Sequence, residues 1–362
     1  MFIIGVTPVV KRVSLNEYLD ESTMIMKQSS SNSIREWHNV DREIFERQIL
    51  PLHQPAVLKN LVANWGLVKA AKSSEEDAVN YLILLDNNRP VYTIIGAPEI
   101  DGRFFYSEDL RANNFYKTEA AMTAVLEQLY ALRDTPKPHS VAVQAASIRQ
   151  MMPDFEVANA MPLLDETTEP TLWLGNRAVV AAHYDVHPNI ACVAVGKRRF
   201  TLFPPEQIAN LYIGPTLNAP GGVPISLVDL LEPDYQKFPK YAEALANSQS
   251  ALLEPGDAIY IPTPWWHAVE SLDNINVLVN YWWSETTNDG LSPSHSLMHS
   301  MLTIAKLEPS EREAWSHFFN YLVFQLNEDP KSHLPAELND LVTTLTEEQR
   351  RDVYQLLKSK LS

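Results

Sequence analysis

Hydrophobic and polar positions along this chain fall into three successive textures. In the first, to about residue 130, helical and extended patterns alternate. Ser14 and Glu17 form a capping box with Val13 and Tyr18 as its hydrophobic staple, which starts a short helix. A serine-rich link, 29–33, follows. Asp41 caps a second helix carrying Ile44, Phe45, Ile49 and Leu50, and Pro51 ends it. Pro55–Val62 reads as a strand entered through proline, residues 73–85 as a helix and Val91–Ile95 as a strand. Asp101-Gly102 is a tight-turn signal ahead of Phe104-Phe105-Tyr106. Thr118–Arg133 gives the clearest helical spacing of this half.

Beyond it the period shortens. Val141–Ala145, Thr171–Leu174, Val179–Ala182, Ile190–Val195, Phe200–Phe203, Ala258–Ile261 and Val277–Trp283 are short apolar runs separated by turn residues. Many short strands with proline-rich turns predict a mainly β core with helices, a barrel or double-sheet jelly roll. Residues 212–250 form a long insertion rich in Pro, Gly and Tyr, which reads equally as a lid or as a surface excursion. In the third texture, Ser310 with Glu313 caps a helix bearing Trp315, Phe318, Phe319, Leu322, Val323 and Leu326. Thr346 with Gln349 caps another, bearing Val353, Leu356 and Leu357. The expected division is an N-terminal α/β region, 1–130, packing on a β core, 131–285, followed by a helical region, 286–362.

The chain has 362 residues, 45% of them hydrophobic and 20% charged, enough to bury a large core without staples. A net charge of −16 at pH 7 argues against a nucleic-acid surface and against anionic membranes. The basic run Lys197-Arg198-Arg199 is too short to serve as one. The single cysteine, Cys192, excludes an internal disulfide, and its apolar setting reads as an inert buried thiol. The apolar start Met1–Val6 is brief and Lys11-Arg12 follow it, so the expectation is no signal peptide, no membrane span and a reducing cytoplasm.

Two short segments carry candidate chemistry. One is Ala182-His183-Tyr184-Asp185; the other runs from Pro255-Gly256-Asp257 through Ala258–Pro262 to Trp265-Trp266-His267. On a strand, His183 and Asp185 share a face, so an imidazole and a carboxylate can meet one metal. His267 comes from a separate strand edge. Two imidazoles and one carboxylate occupy one face of an octahedron and leave the other open, the ligand set of non-haem Fe(II) oxygenases rather than of closed zinc sites. The bland alternatives are a hydrogen-bonded core histidine at 183 and a capping histidine at 267. His187 is followed by Pro188, which breaks the strand. His295 and His299 have zinc-binding spacing on a helix, but no Glu follows His295, so the metalloprotease motif fails.

With Asn189, the run Gly196-Lys197-Arg198-Arg199-Phe200-Thr201-Leu202-Phe203-Pro204-Pro205, and Asn280-Tyr281-Trp282, these segments resemble the cupin-like JmjC oxygenases. The likeness covers roughly residues 40–285 and is strongest to the branch containing the asparaginyl hydroxylase of hypoxia-inducible factor. It implies a double-stranded β-helix, Fe(II), 2-oxoglutarate as co-substrate and dimerisation through C-terminal helices. His183, Asp185 and His267 match the iron ligands. Asn189 and Asn280 match polar residues near the co-substrate, and Trp282 an aromatic wall of that pocket. Arg198 stands where the family usually has a lysine for the distal carboxylate; a guanidinium can grip it bidentately. Lys197 is the fallback, though strand parity points it the other way. Ala142 and Val180 stand where the asparaginyl hydroxylase has a tyrosine and a threonine, and Gln144 and Tyr92 where it contacts its peptide.

These readings imply an Fe(II)/2-oxoglutarate-dependent dioxygenase that hydroxylates a protein or peptide side chain. Alternatives from other classes stay open: a small-molecule hydroxylase of the same mechanism, a non-catalytic metal-binding cupin that senses or recruits, and a hydrolase or isomerase holding zinc or manganese. The expected partners are the substrate and a second copy of the chain, with no nucleic acid and no membrane.

Overall fold

The computed structural model describes residues 33–216, 219–283, 292–326, 329–335 and 345–361; the capping box at Ser14 and Glu17 lies outside them. Two compact units divide between residues 287 and 288.

The first unit holds thirteen described strands: β1 (Glu36–His38), β2 (Ala56–Lys59), β3 (Pro90–Gly96), β4 (Phe115–Ala121), β5 (Ser140–Ser147), β6 (Pro170–Gly175), β7 (Ala178–Tyr184), β8 (Asn189–Val195), β9 (Arg198–Phe203), β10 (Gln249–Leu253), β11 (Ala258–Ile261), β12 (Trp266–Ser271) and β13 (Asn276–Trp282). Nine order as β1-β2-β11-β8-β13-β6-β5-β3-β4 and four as β10-β9-β12-β7, the jelly-roll core expected from the sequence. Alternation along β8 explains the layering. Ile190, Cys192 and Ala194 join the larger core, with Leu67, Val68, Leu82 and Leu126 of the helices Gly66–Ser73, Glu75–Leu85 and Met122–Leu132. Ala191 and Val193 face the other way, into a cluster with Phe200 and Leu202 of β9 and Val269 of β12. β8 is therefore buried on both faces, and burial pushes the Cys192 thiol well above its ordinary range, as an inert core residue requires.

Several elements differ from the sequence reading. Thr118–Ala121 is strand, pairing with Pro90–Thr93, and the helix starts only at Met122; the alanines fit both periods, and the pairing decides. Asp41 does cap its helix, accepting from Ile44 N at 2.8 Å, but the helix widens to a π-turn over Phe45–Ile49 so that both these residues reach the core. Strands β10 and β12 were not legible as periodic runs. The insertion is neither a simple lid nor a surface excursion. Its Tyr212, Val228, Phe238, Tyr241 and Ala244 cover the outer face of the smaller sheet against Ala182, Phe203, Trp266 and Ala268.

The second unit holds helices Pro293–Thr303, Pro309–Phe318 and Glu347–Leu361, the middle one running on as a π-turn over Phe319–Phe324. Its capping box is Glu308 with Glu311, two residues before the expected Ser310 and Glu313, because Pro309 fits the first helical position. Thr346 and Gln349 do exchange capping hydrogen bonds, at 2.8 and 3.3 Å. Among the described residues no helix is long and apolar enough to cross a membrane.

Candidate metal and co-substrate site

The site begins with one register. β12 runs antiparallel to β7 with His267 directly opposite His183, and the register shifts just beyond, between His267 and Val269. Asp185 lies one residue past the end of β7. The ligand atoms of His183, Asp185 and His267 all fall within 4.8 Å of one another. The imidazole centroids are 4.2 Å apart, and His267 Nε2 is 3.7 Å from Asp185 Oδ2.

Each histidine is oriented the same way. His183 Nδ1 donates to Ala181 O at 2.9 Å and His267 Nδ1 to Trp265 O at 3.4 Å. A carbonyl only accepts, so the proton sits on Nδ1 and the Nε2 lone pair is left for a metal. Burial, reinforced by His183 and opposed by Asp185, pushes the His267 pKa down to about 4, which keeps the ring in its ligating neutral form. Burial alone would raise the Asp185 carboxyl. The facing His267 and His183, then the hydrogen bonds from Trp282 and Asn189, outweigh it and hold the group below its usual range. Those bonds reach Oδ2 from Trp282 Nε1 at 3.0 Å and Asn189 Nδ2 at 2.8 Å. Asn280 Nδ2 approaches Asn189 Oδ1 at 3.4 Å, and Thr263 Oγ1 donates to the Asp185 carbonyl at 2.7 Å.

The triad opens into a cavity of about 340 Å³ between the two sheets, which Arg198, Asn189, Asn280 and Trp282 also line. Gly196 sets which arginine reaches it. Its φ of +71° makes the β8–β9 turn, where a Cβ would meet Asn276 Oδ1 at 2.5 Å and Ile275 O at 2.6 Å. Arg198 then points inward at 7% exposure. Lys197 and Arg199 point out, pairing with Glu254 at 3.0 Å and Glu270 at 3.2 Å. No acid pairs with Arg198 among the described residues. Its Nε has no hydrogen-bond partner, and burial alone pushes its pKa down to about 10. The indole N–H of Trp173, which lines the same cavity, is also buried without a partner.

A family model described as a cupin-like domain matches residues 41–289. The chain belongs to the cupin-like domain family. Relatives of this cupin include HSPB1-associated protein 1 homolog of Danio rerio, 33% identical over 150 residues (39% of this chain, 31% of that protein). Lysine-specific demethylase JMJ31 of Arabidopsis thaliana is 34% identical over 124 residues (34% and 22%). Jumonji C domain-containing protein 5 of Drosophila melanogaster is 24% identical over 294 residues (75% and 68%). The matched stretch thus spans under a third of the first two relatives. Family membership and the His–Asp–His cluster together support an iron- and 2-oxoglutarate-type oxygenase.

The cupin sets the triad, Arg198, Asn189, Asn280 and Trp282 around one cavity, which Tyr92 and Lys197 do not line, and His187, His295 and His299 belong to no such metal-holding cluster among the described residues. Trp282 lines the cavity and its indole N–H also donates to Asp185 Oδ2. Ala142 and Val180 line the cavity as small apolar groups where the asparaginyl hydroxylase has hydroxyls. Thr263 and Trp173 escaped sequence reading. For Trp173 a signal existed: Leu172 and Leu174 both face the helices, so parity turns the residue between them inward.

Proposed function

We propose that this cupin is an Fe(II)- and 2-oxoglutarate-dependent dioxygenase that hydroxylates a protein or peptide side chain. The observation that carries the reading is a metal triad and a buried, acid-free guanidinium in one cavity. The donor set fits the ion, with two imidazoles whose Nδ1 atoms are held by carbonyls and one carboxylate within 4.8 Å of one another. An unpaired buried charge is costly and asks for a counter-ion, which the second carboxylate of a keto acid would supply.

Bound there, ferrous iron with 2-oxoglutarate supplies oxygen activation coupled to decarboxylation of the keto acid. The chain's residues do the rest. His183, Asp185 and His267 would hold the ion. Arg198 would pair with the distal carboxylate of the co-substrate. Trp282 and Asn189 keep Asp185 aimed, and Asn280 steadies Asn189. Tyr92 is 69% exposed and Gln144 lines the cavity, which supports an extended partner reaching in from the surface. In the second unit Trp315, Phe318, Leu322 and Leu326 are exposed apolar residues, which supports pairing with a second copy through these helices.

Anaerobic addition of Fe(II) and 2-oxoglutarate should give a weak visible charge-transfer band, and His183→Ala should abolish it. Succinate release on admitting oxygen separates an enzyme from a metal-binding module, and protein mass gains of one oxygen after incubation with extract identify the substrate. A band that never forms, or forms without dependence on His183, would sink the reading.

A further inference from the structure

The cavity has a wall that neither the triad nor Arg198 explains. Phe104, Ala142, Val180, Ala181, Val223 and Ile225 build it. Phe104, Ala181 and Ile225 are sealed into small apolar clusters, one with Tyr106 and Ala219, the other with Ile94 and Ala178. Three polar side chains close by are engaged elsewhere, and the cavity's free acceptors, on Gln144 and Asn280, are neutral amides. Tyr106 donates to Pro215 O at 2.7 Å, and Arg103 pairs with Asp229 at 3.1 Å. The Asn176 amide accepts from Val141 N at 3.0 Å and donates to His139 O at 2.8 Å. Among the described residues that line the cavity, the ionisable ones are His183, Asp185, His267 and Arg198, and the proposed function uses all four. Pro220, Gly221 and Val223 of the insertion, which also line the cavity, bring no charge.

Desolvation then discriminates between substrates. An ammonium or methylated ammonium entering this space sheds hydration and meets no free carboxylate to replace it, so its transfer is unfavourable. The cavity's rings are engaged with one another or with the core and do not form an aromatic cage: Phe104 is edge-on to Phe115 (5.4 Å, 89°), Trp173 is edge-on to Trp282 (6.2 Å, 70°), and Phe200 packs into the buried cluster of β8 and β9. A hydrocarbon group gains from the same transfer. We infer that the part of the substrate received beside the metal is uncharged and apolar, of the class of an aliphatic side chain, and not the cationic head of a lysine. The small side chains at 142, 180 and 181 leave room for a branched group. This rests on the oxygenase reading for its meaning, though its test does not.

Choline and its neutral carbon isostere, dimethylbutanol, share a shape and differ by one positive charge. Their binding to the full chain loaded with redox-inert zinc is followed by saturation-transfer NMR. The neutral compound is expected to bind at least about tenfold more tightly, and Val180→Glu, checked for an unchanged melting transition, to reverse the order. Equal binding, absent binding or a preference for choline in the unaltered protein overturns the inference. No keto acid or turnover enters the measurement, so a failed oxygenase assay and a failed preference are separate results.

Discussion

The two ends of the cavity are built on opposite principles. Around Asp185 the protein supplies its own partners: two N–H donors reach the carboxylate, and both imidazoles are locked by the carbonyl two residues back. Around Arg198 it supplies none, leaving a buried guanidinium and a buried indole N–H unanswered. The first end is organised before anything binds. The second is left in deficit, so that a ligand carboxylate relieves a cost the empty protein carries.

That contrast can be broken at either end. His183→Ala or His267→Ala is expected to abolish iron-dependent succinate release, since two ligands do not hold the ion; activity near the unaltered level would remove the triad from the chemistry. The organised end should also show in the stability of the metal-free chain. His267 is depressed to about 4 against 6.5 in the unfolded chain. Between those values the unfolded state binds a proton that the native state does not. Stability is therefore full above pH 6.5 and falls as pH drops toward 4, by about 3 kcal/mol. Denaturant melts across that range test it, and a flat profile means His267 titrates normally.

The deficient end should respond with opposite signs in two assays. Arg198→Met is expected to raise the 2-oxoglutarate concentration needed for half-maximal activity by roughly 30-fold, the worth of a charged hydrogen-bonded contact. The same change is expected to stabilise the empty protein by about 2 kcal/mol, because an uncompensated buried charge leaves. A destabilised Arg198→Met would mean that the guanidinium already has a structural partner. The smallest effect belongs to Trp282→Phe. It keeps an aromatic wall, loses the donor to Asp185, and should weaken iron binding about tenfold in a titration.

Much of this architecture is legible in the order of amino acids alone. Spacing puts His183 and Asp185 on one face, parity separates Arg198 from Lys197 and Arg199, and the short apolar runs mark most strands of the jelly roll. What escapes depends on contacts distant in sequence. Trp266–Ser271 mixes Trp, His and Glu and becomes a strand only because β7 and β9 flank it. Thr118–Ala121 is drawn from helix to strand by β3, whose register sets Pro90 opposite Ala121 and Thr93 opposite Thr118. The role of Trp282 is likewise invisible locally, since its partner Asp185 lies 97 residues away.

The Gly196 turn has a consequence for how this fold can vary. Two adjacent arginines are available there, and only their position counted from the hairpin selects the one that faces the ligand. Shortening that bend by a single amino acid would bring Arg199 to the ligand-facing position and turn Arg198 outward. Co-substrate recognition at this site is thus a matter of counting as much as of chemistry.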